Sequence, residues 1–202
     1  GEKSNVARKV LMEVMSLMLS PTQRNGGDPS KVMKLCFASL AVVFSNDIVP
    51  MDLILSLWVK LLLTHPDAKA EISDGLPDSE LYKRVWYICE AFMHLGIFSL
   101  SDEDGLLTAK LYHPLYYRYG ISILPEINKT LSVQETQIEW QNLLVESYNW
   151  KRGKTLSKKS GGEDTCRTYA LKHILRHMIE AKSIPRVLEY LKDEKWCNER
   201  FA

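Results

Sequence analysis

The sequence lacks the features that define several large classes of protein. Its apolar runs all fall short of the roughly 18 to 20 residues needed to cross a bilayer, and no charged-then-apolar signal peptide opens the chain. Its 26 Lys and Arg residues almost balance 25 Asp and Glu residues, which leaves a formal net charge of +1. Such a balance creates no overall electrostatic field that would attract a polyanion such as nucleic acid. We therefore expect that the protein has no membrane partner and that it is not a dedicated nucleic-acid-binding protein.

Cysteine is scarce, and its spacing excludes the common cysteine motifs. The four cysteines are far apart and none forms a C-x-x-C pair. Cys36 and Cys89 lie on apolar faces of predicted helices, so we expect reduced core residues and a cytoplasmic protein. The chain opens on Gly1 and not on methionine, which suggests an excised piece of a longer protein.

Catalytic signatures are also missing. The segment RGKT at 152–155 suggests a phosphate loop, but the motif needs a glycine where Tyr148 stands and an apolar strand before it. No G-x-x-x-x-G-K-[ST] pattern occurs anywhere in the chain. No Ser/His/Asp, Cys/His or paired-carboxylate constellation can be assembled from local spacing, so we propose no enzyme.

Two weaker patterns have a simpler structural interpretation beside the functional one. His173 and His177 have metal-ligand spacing, with Cys166 and Glu180 nearby, but only Cys197 could complete a four-ligand set from a second element. We therefore favour two histidines on a packed or solvated helix and predict no metal. The five basic residues at 151–159 could contact phosphates, although near-neutral net charge favours a solvated loop.

The stretch at 95–121 organises the chain. Two short apolar runs flank the acidic segment at 101–105, whose final glycine suits a tight turn, so we expect a β-hairpin surrounded by helices. By the period of two, one face of the second strand carries Leu107, Ala109, Leu111 and His113. His113 is therefore predicted to point into the core, at the place where the chain returns to helix.

The order of predicted elements indicates a mainly α protein with a small β wing. Apolar periodicity predicts helices near 29–44, 51–63 and 80–95, and Ile48 and Val49 can form a third strand before Pro50. Helix, strand, helix, helix, strand, wing and strand is the order of a winged helix-turn-helix domain, which we place at 28–125. An amphipathic helix and linker at 1–27 precede it, and an antiparallel helical bundle domain at 126–202 follows.

A winged helix most often suggests DNA reading through its third helix. That helix would need base-reaching polar side chains, yet its outer face is partly apolar and partly acidic. The face carries Lys83, Arg84, Trp86, Tyr87, Glu90 and Met93. A winged-helix DNA-binding protein and a protein-interaction adaptor that uses the Trp86 and Tyr87 face remain alternatives.

Two stretches resemble the signal-transduction ATPases that include the apoptotic protease-activating factor and the plant NB-ARC proteins. LCFASLAVVFSNDIVPMDLILSLW at 35–58 is similar to the opening of their winged-helix domain. TYALKHILRHMIEAKSIPRVLEYLKDEKW at 168–196 is similar to the helical domain that follows it. In the second stretch the matching positions are Tyr169, His177, Ala181, Leu188, Leu191 and Trp196. The resemblance covers nearly all of 30–196.

The resemblance implies a regulatory role for His113. The wing of the family ends in a Met-His-Asp type triplet whose histidine contacts the β-phosphate of ADP, and Tyr112, His113 and Pro114 stand there. The histidine is kept, whereas proline replaces the aspartate. Because the chain lacks the phosphate loop, ADP or ATP would be bound by an upstream nucleotide-binding domain. A downstream repeat domain, self-oligomerisation of the active form and a role in apoptosis or innate immunity are further expectations.

Overall fold

The computed structural model describes residues 29–44, 48–71, 77–103, 106–150, 154–155 and 167–201. The described helices are α1 (Pro29–Val43), α2 (Met51–Thr64), α3 (Pro66–Glu71), α4 (Asp78–His94), α5 (Pro114–Ile127), α6 (Val133–Ser147), α7 (Arg167–Glu180), α8 (Ile184–Leu191) and α9 (Glu194–Phe201). The described strands are β1 (Val49–Pro50), β2 (Phe98–Glu103), β3 (Leu106–Leu111), β4 (Tyr148–Asn149) and β5 (Lys154–Thr155). The helix and linker predicted at 1–27 lie outside the described residues. The prediction of a mainly helical chain with a small sheet is confirmed.

The predicted hairpin and third strand form one antiparallel sheet in the order β1-β3-β2. β2 and β3 pair along their whole length, from Phe98 opposite Leu111 outward. β1 is short, and it places Val49 opposite Ala109. Val49, Phe98 and Ala109 are fully buried, so the face of this small sheet that carries them lies against the helices.

The indole of Trp58 lies at the centre of the core. Trp58 is fully buried in α2, and its Nε1 donates to the Ser39 hydroxyl at 2.9 Å and to the Cys36 carbonyl at 3.2 Å. Phe92 of α4 contacts the indole edge to face at 5.6 Å, and Phe98 of β2 contacts Phe92 at 6.3 Å. These contacts join α1, α2, α4 and the sheet. A buried indole N–H usually has a hydrogen-bond partner, and here Ser39 and Cys36 of α1 provide it.

Close packing joins α5 to α1. A Cβ at Gly120 would lie only 3.1 Å from the Cβ of Ala41 and 3.5 Å from the Ala38 carbonyl oxygen, so the missing side chain permits this approach. α5 continues through Pro125 to Ile127. The domain boundary predicted at 125 therefore falls inside a helix, and the next non-helical stretch is 128–132.

The helices after 132 pack on the first half of the chain. α6 begins with a capping box in which the Ser132 hydroxyl accepts from the Glu135 N–H, and the Glu135 carboxylate accepts from the Ser132 N–H. Trp140 and Leu144 of α6 belong to the same buried cluster as Trp58, and α6 contacts both α2 and α7. The two halves therefore share one hydrophobic core.

Candidate functional site

The junction between β3 and α5 carries His113, and here the prediction from strand alternation is wrong. The ring of His113 is exposed and does not point into the core. β3 ends at Leu111, so the alternation that buries Ala109 no longer applies two residues later. His113 is instead the residue immediately before α5, with φ −144° and ψ 134°.

The cap of α5 determines the hydrogen position on the His113 ring. Nδ1 accepts a hydrogen bond from the backbone N–H of Leu115 at 3.1 Å. An imidazole nitrogen that accepts cannot carry a hydrogen, so the neutral ring carries its hydrogen on Nε2. Within the residues that the structure describes, Nε2 has no hydrogen-bond partner. His113 therefore presents one oriented N–H donor at the surface.

The surroundings of this donor are compatible with a negatively charged group. The first turn of α5 contains no acidic residue, so no carboxylate on that turn opposes the positive end of the helix dipole. Tyr112 beside it is 64% exposed, and its backbone N–H donates to the Ile97 carbonyl at 3.1 Å. That bond extends the pairing of the hairpin by one residue and holds the junction in place. Pro114 restricts the backbone of the first helical position.

The outer face of α4 offers little for reading DNA. Lys83 Nζ lies 3.3 Å from Glu80 Oε2, and the Trp86 indole N–H donates to Glu90 Oε1 at 2.9 Å. Two of the side chains predicted to reach outward are thus engaged by acids of their own helix. Tyr87 is 66% exposed beside them, which leaves a mixed surface of the kind seen at protein contacts.

The two histidines of α7 do not assemble a metal site in the described part of the chain. His177 is fully buried, with Nε2 at 3.1 Å from the Tyr169 hydroxyl and Nδ1 at 2.9 Å from Gln141 Oε1. The His173 ring lies 4.4 Å from the Tyr169 ring. Among the described residues no group of three possible ligands comes together, and Cys166 lies outside that part. His177 is a packed, hydrogen-bonded histidine.

The RGKT segment falls partly within a short strand pair. β5 pairs with β4, with Tyr148 opposite Thr155 and Asn149 opposite Lys154. Residues 151–153 and 156–166 lie outside the described part, and with them most of the basic loop. The strand pair was not predicted, because two-residue strands have no periodicity to detect.

Gln141 was missed by reasoning from sequence. It is only 3% exposed, and its amide nitrogen donates to the Val42 carbonyl at 3.0 Å, across 99 residues of chain. One signal was available, since Gln141 stands beside Trp140 and three residues before Leu144, on the apolar side of α6. A polar residue inside an apolar stripe often has a buried hydrogen-bond partner.

None of the described helices combines the length and the apolarity that crossing a membrane requires. Comparison with family models, with curated proteins and with solved structures finds no match for this chain.

Proposed function

We propose that this chain is a regulatory, non-catalytic segment of a nucleotide-switch signalling ATPase. In this proposal residues 28–125 form a winged-helix domain, and His113 senses the ADP or ATP held by an upstream domain of the same protein. The observation that supports it most directly is the oriented, surface Nε2–H of His113 at the start of α5.

The element order supports the winged-helix interpretation. Helix α1, strand β1, helices α2 and α4, and the β2–β3 hairpin follow one another, and the sheet has the order β1-β3-β2. The short helix α3 is an addition between α2 and α4. The third strand of the sheet ends at Leu111, at the base of the hairpin, and His113 follows it by two residues.

The chemistry of the junction suits contact with a phosphate. An N–H donor bonded to an anionic oxygen forms a stronger hydrogen bond than one bonded to a neutral acceptor. The exposed position also corrects the expected mode of contact, since a buried ring could not reach a ligand held by another domain. His113 would meet ADP only when the upstream domain closes onto this face, and ADP would thereby favour the closed state.

The shared core supports a relay role for the helical half. Because α6 packs on both α2 and α7, a rotation of the first half carries the helices after 132 with it. In the proposed cytoplasmic protein this rotation would expose surfaces for self-oligomerisation and move a downstream repeat domain, as in apoptotic or innate-immune signalling.

The test uses the longest natural protein that contains this chain, purified with its bound nucleotide. We expect ADP to copurify, and His113→Asn to lose ADP roughly ten- to hundredfold faster, as for loss of a hydrogen bond to a charged group. Asparagine is a good N-cap residue, so its side-chain oxygen can keep the Leu115 hydrogen bond, whereas its amide N–H groups lie on a shorter side chain and do not reach the position of Nε2. His113→Ala removes both and should also cost about 1 kcal/mol of stability.

His94→Asn is the matched control, since His94 is exposed at the end of α4 and lies outside the junction. It should retain ADP and remain monomeric, whereas His113→Asn should form oligomers without a trigger. Retention of ADP by His113→Asn at the wild-type rate would contradict the proposal. Absence of any phosphate loop upstream of the chain would do so as well.

A further inference from the structure

An open cleft lies where α1, α5, α6 and α7 meet. Its volume is about 380 Å³, in the lower part of the range of small-ligand sites. Gln134, Gln137 and Gln141 line it from α6, and Lys182 lines it two residues after the end of α7. His113 does not belong to the lining, so the cleft is a second candidate site.

The hydrogen-bond acceptors on one side of the cleft are already engaged. The Gln141 amide nitrogen donates to the Val42 carbonyl at 3.0 Å and to Glu180 Oε2 at 2.5 Å. The other carboxylate oxygen of Glu180 lies 3.9 Å from Arg176 Nε. A ligand in the cleft therefore bonds mainly to the remaining polar groups of the lining.

Those remaining groups are Tyr117, Gln134, Gln137 and Lys182. Within the part of the chain that the structure describes, their side chains form no hydrogen bond and no ion pair. An ammonium group only donates, whereas a carboxamide offers one carbonyl and two N–H hydrogens. To satisfy these groups, a ligand presents an acceptor to Lys182 and both donors and acceptors to the two glutamines.

The charges of the lining favour an anionic ligand. Lys182 and Arg176 carry two positive charges, against one negative charge on Glu180. The acid nearest to Lys182 on α6 is Glu135, whose carboxylate is held by the N–H and the hydroxyl of Ser132 at 2.9 and 2.7 Å. Those hydrogen bonds are the main reason for the lowered pKa of Glu135, and Lys182 lowers it further from a distance. The ammonium group of Lys182 thus remains available to a carboxylate.

The cleft also has an apolar part. Ile138 of α6 and Ile179 of α7 line it, together with Ala41 and Val42 of α1. The side chain of Ile179 is 55% exposed, so a ligand that covers it gains free energy by removing apolar surface from water. An aliphatic group on the ligand would fit this part.

We propose that the cleft binds a short extended segment of a partner protein that carries an acidic side chain beside an aliphatic one. The carboxylate contacts Lys182, and the aliphatic side chain covers Ile179. Gln134 and Gln137 are neighbours on one face of α6, where their amides match the repeating N–H and C=O groups of an extended backbone. A small carboxylate ion would satisfy Lys182 alone and would leave both amides and the isoleucine without a partner.

An NMR titration of the intact chain tests the proposal. The probe is the capped tripeptide acetyl-Ala-Leu-Glu amide, and its reference is the isosteric acetyl-Ala-Leu-Gln amide. We expect saturable shifts of the backbone amides that border the cleft, and roughly fivefold weaker binding of the reference peptide, as for loss of one exposed ion pair. Acetate should bind at least about tenfold more weakly than the acidic peptide, because it lacks the backbone hydrogen bonds.

Two variants separate the contacts. Lys182→Gln should bind the two peptides equally, because a neutral side chain does not distinguish the carboxylate from the amide. Gln137→Leu keeps a side chain of similar size but removes an amide, so it should weaken both peptides by the same factor, roughly fivefold. Lys192→Gln is the matched control, since Lys192 is an exposed lysine at the end of α8 and does not line the cleft. It should keep the wild-type preference for the acidic peptide.

Several results would overturn the proposal. Equal binding of the two peptides to the wild type would do so, and so would a preference for the acidic peptide that persists in Lys182→Gln. Acetate that binds as tightly as the acidic peptide would contradict the assignment to a peptide. The absence of saturable shifts up to roughly 10 mM peptide would overturn the site itself. Should Gln137→Leu fail to fold, the comparison of Lys182→Gln with Lys192→Gln decides alone, because both lysines are exposed.

Discussion

Replacing Lys182 with glycine should stabilise the protein, because Lys182 holds a left-handed backbone conformation. Its φ is +53°, and it is the one non-glycine residue with positive φ among the described residues. It follows α7, where its N–H donates to the Ile179 carbonyl at 2.9 Å and the Ser183 N–H donates to the Met178 carbonyl at 2.8 Å. This pair of bonds ends a helix in the Schellman arrangement, whose left-handed position is usually glycine.

The expected gain is the difference between two opposing effects. The left-handed conformation costs a residue with a Cβ about 1–2 kcal/mol, whereas glycine loses roughly 0.4–1 kcal/mol more through the entropy of the unfolded chain. The net gain for glycine is about 0.5–1 kcal/mol. For a chain of about 200 residues, each kcal/mol raises Tm by roughly 2–4 °C, so we expect an increase of roughly 1–4 °C.

Lys182→Ala is the matched reference for this measurement. The hydrogen bonds from Ser132 lower the pKa of the Glu135 carboxyl, and the charge of Lys182 lowers it further. Both variants remove that charge. Only glycine also relieves the backbone. Urea and thermal unfolding of the two variants then isolate the conformational effect. If Lys182→Gly unfolds at the same temperature as Lys182→Ala, or at a lower one, the left-handed conformation is not costly here and the reasoning is refuted.

Two further predictions concern the core and its thiols. Trp58→Phe should lower the free energy of unfolding by about 2–3 kcal/mol, because it leaves a cavity and removes the N–H that donates to Ser39 and Cys36. Urea unfolding measures this loss, and a loss below about 0.5 kcal/mol would contradict the prediction. Burial raises the pKa of the Cys36 thiol, and burial together with the smaller effect of the Glu90 charge raises the pKa of the Cys89 thiol to about 12. Both thiols should therefore react with iodoacetamide on the order of a hundredfold more slowly than the thiol of Cys197. Mass spectrometry of the folded chain measures the rates, and equal rates would refute the prediction.

The helices and the hairpin could be predicted because their signals are local. Apolar residues recur along α2 and α4 at helical spacing, and the hairpin combines two apolar runs with an acidic turn, so each element carries its own evidence. The pairing of Val49 with the hairpin could also be anticipated, since Pro50 forces the residue before it out of the helical region.

The orientation of His113 could not be predicted in the same way. Strand alternation assigns it to the buried face only if the strand continues, and the strand stops two residues earlier. Where it stops depends on α5, whose first turn takes the His113 ring as its cap. A competing local interaction therefore decided the exposure of the one residue that the functional proposal rests on.

By itself, the sequence determined the type and order of α1, α2, α4 and the three strands of the first sheet, the absence of a phosphate loop and the identity of the histidine at the end of the wing. The outward orientation of this histidine depends on a local contact, its cap of α5, whereas only the tertiary structure decided that Gln141 joins His177 to Val42. The physical reason is range: periodicity acts over a few residues, whereas the Gln141–Val42 bond joins groups 99 residues apart and forms only after both halves have packed.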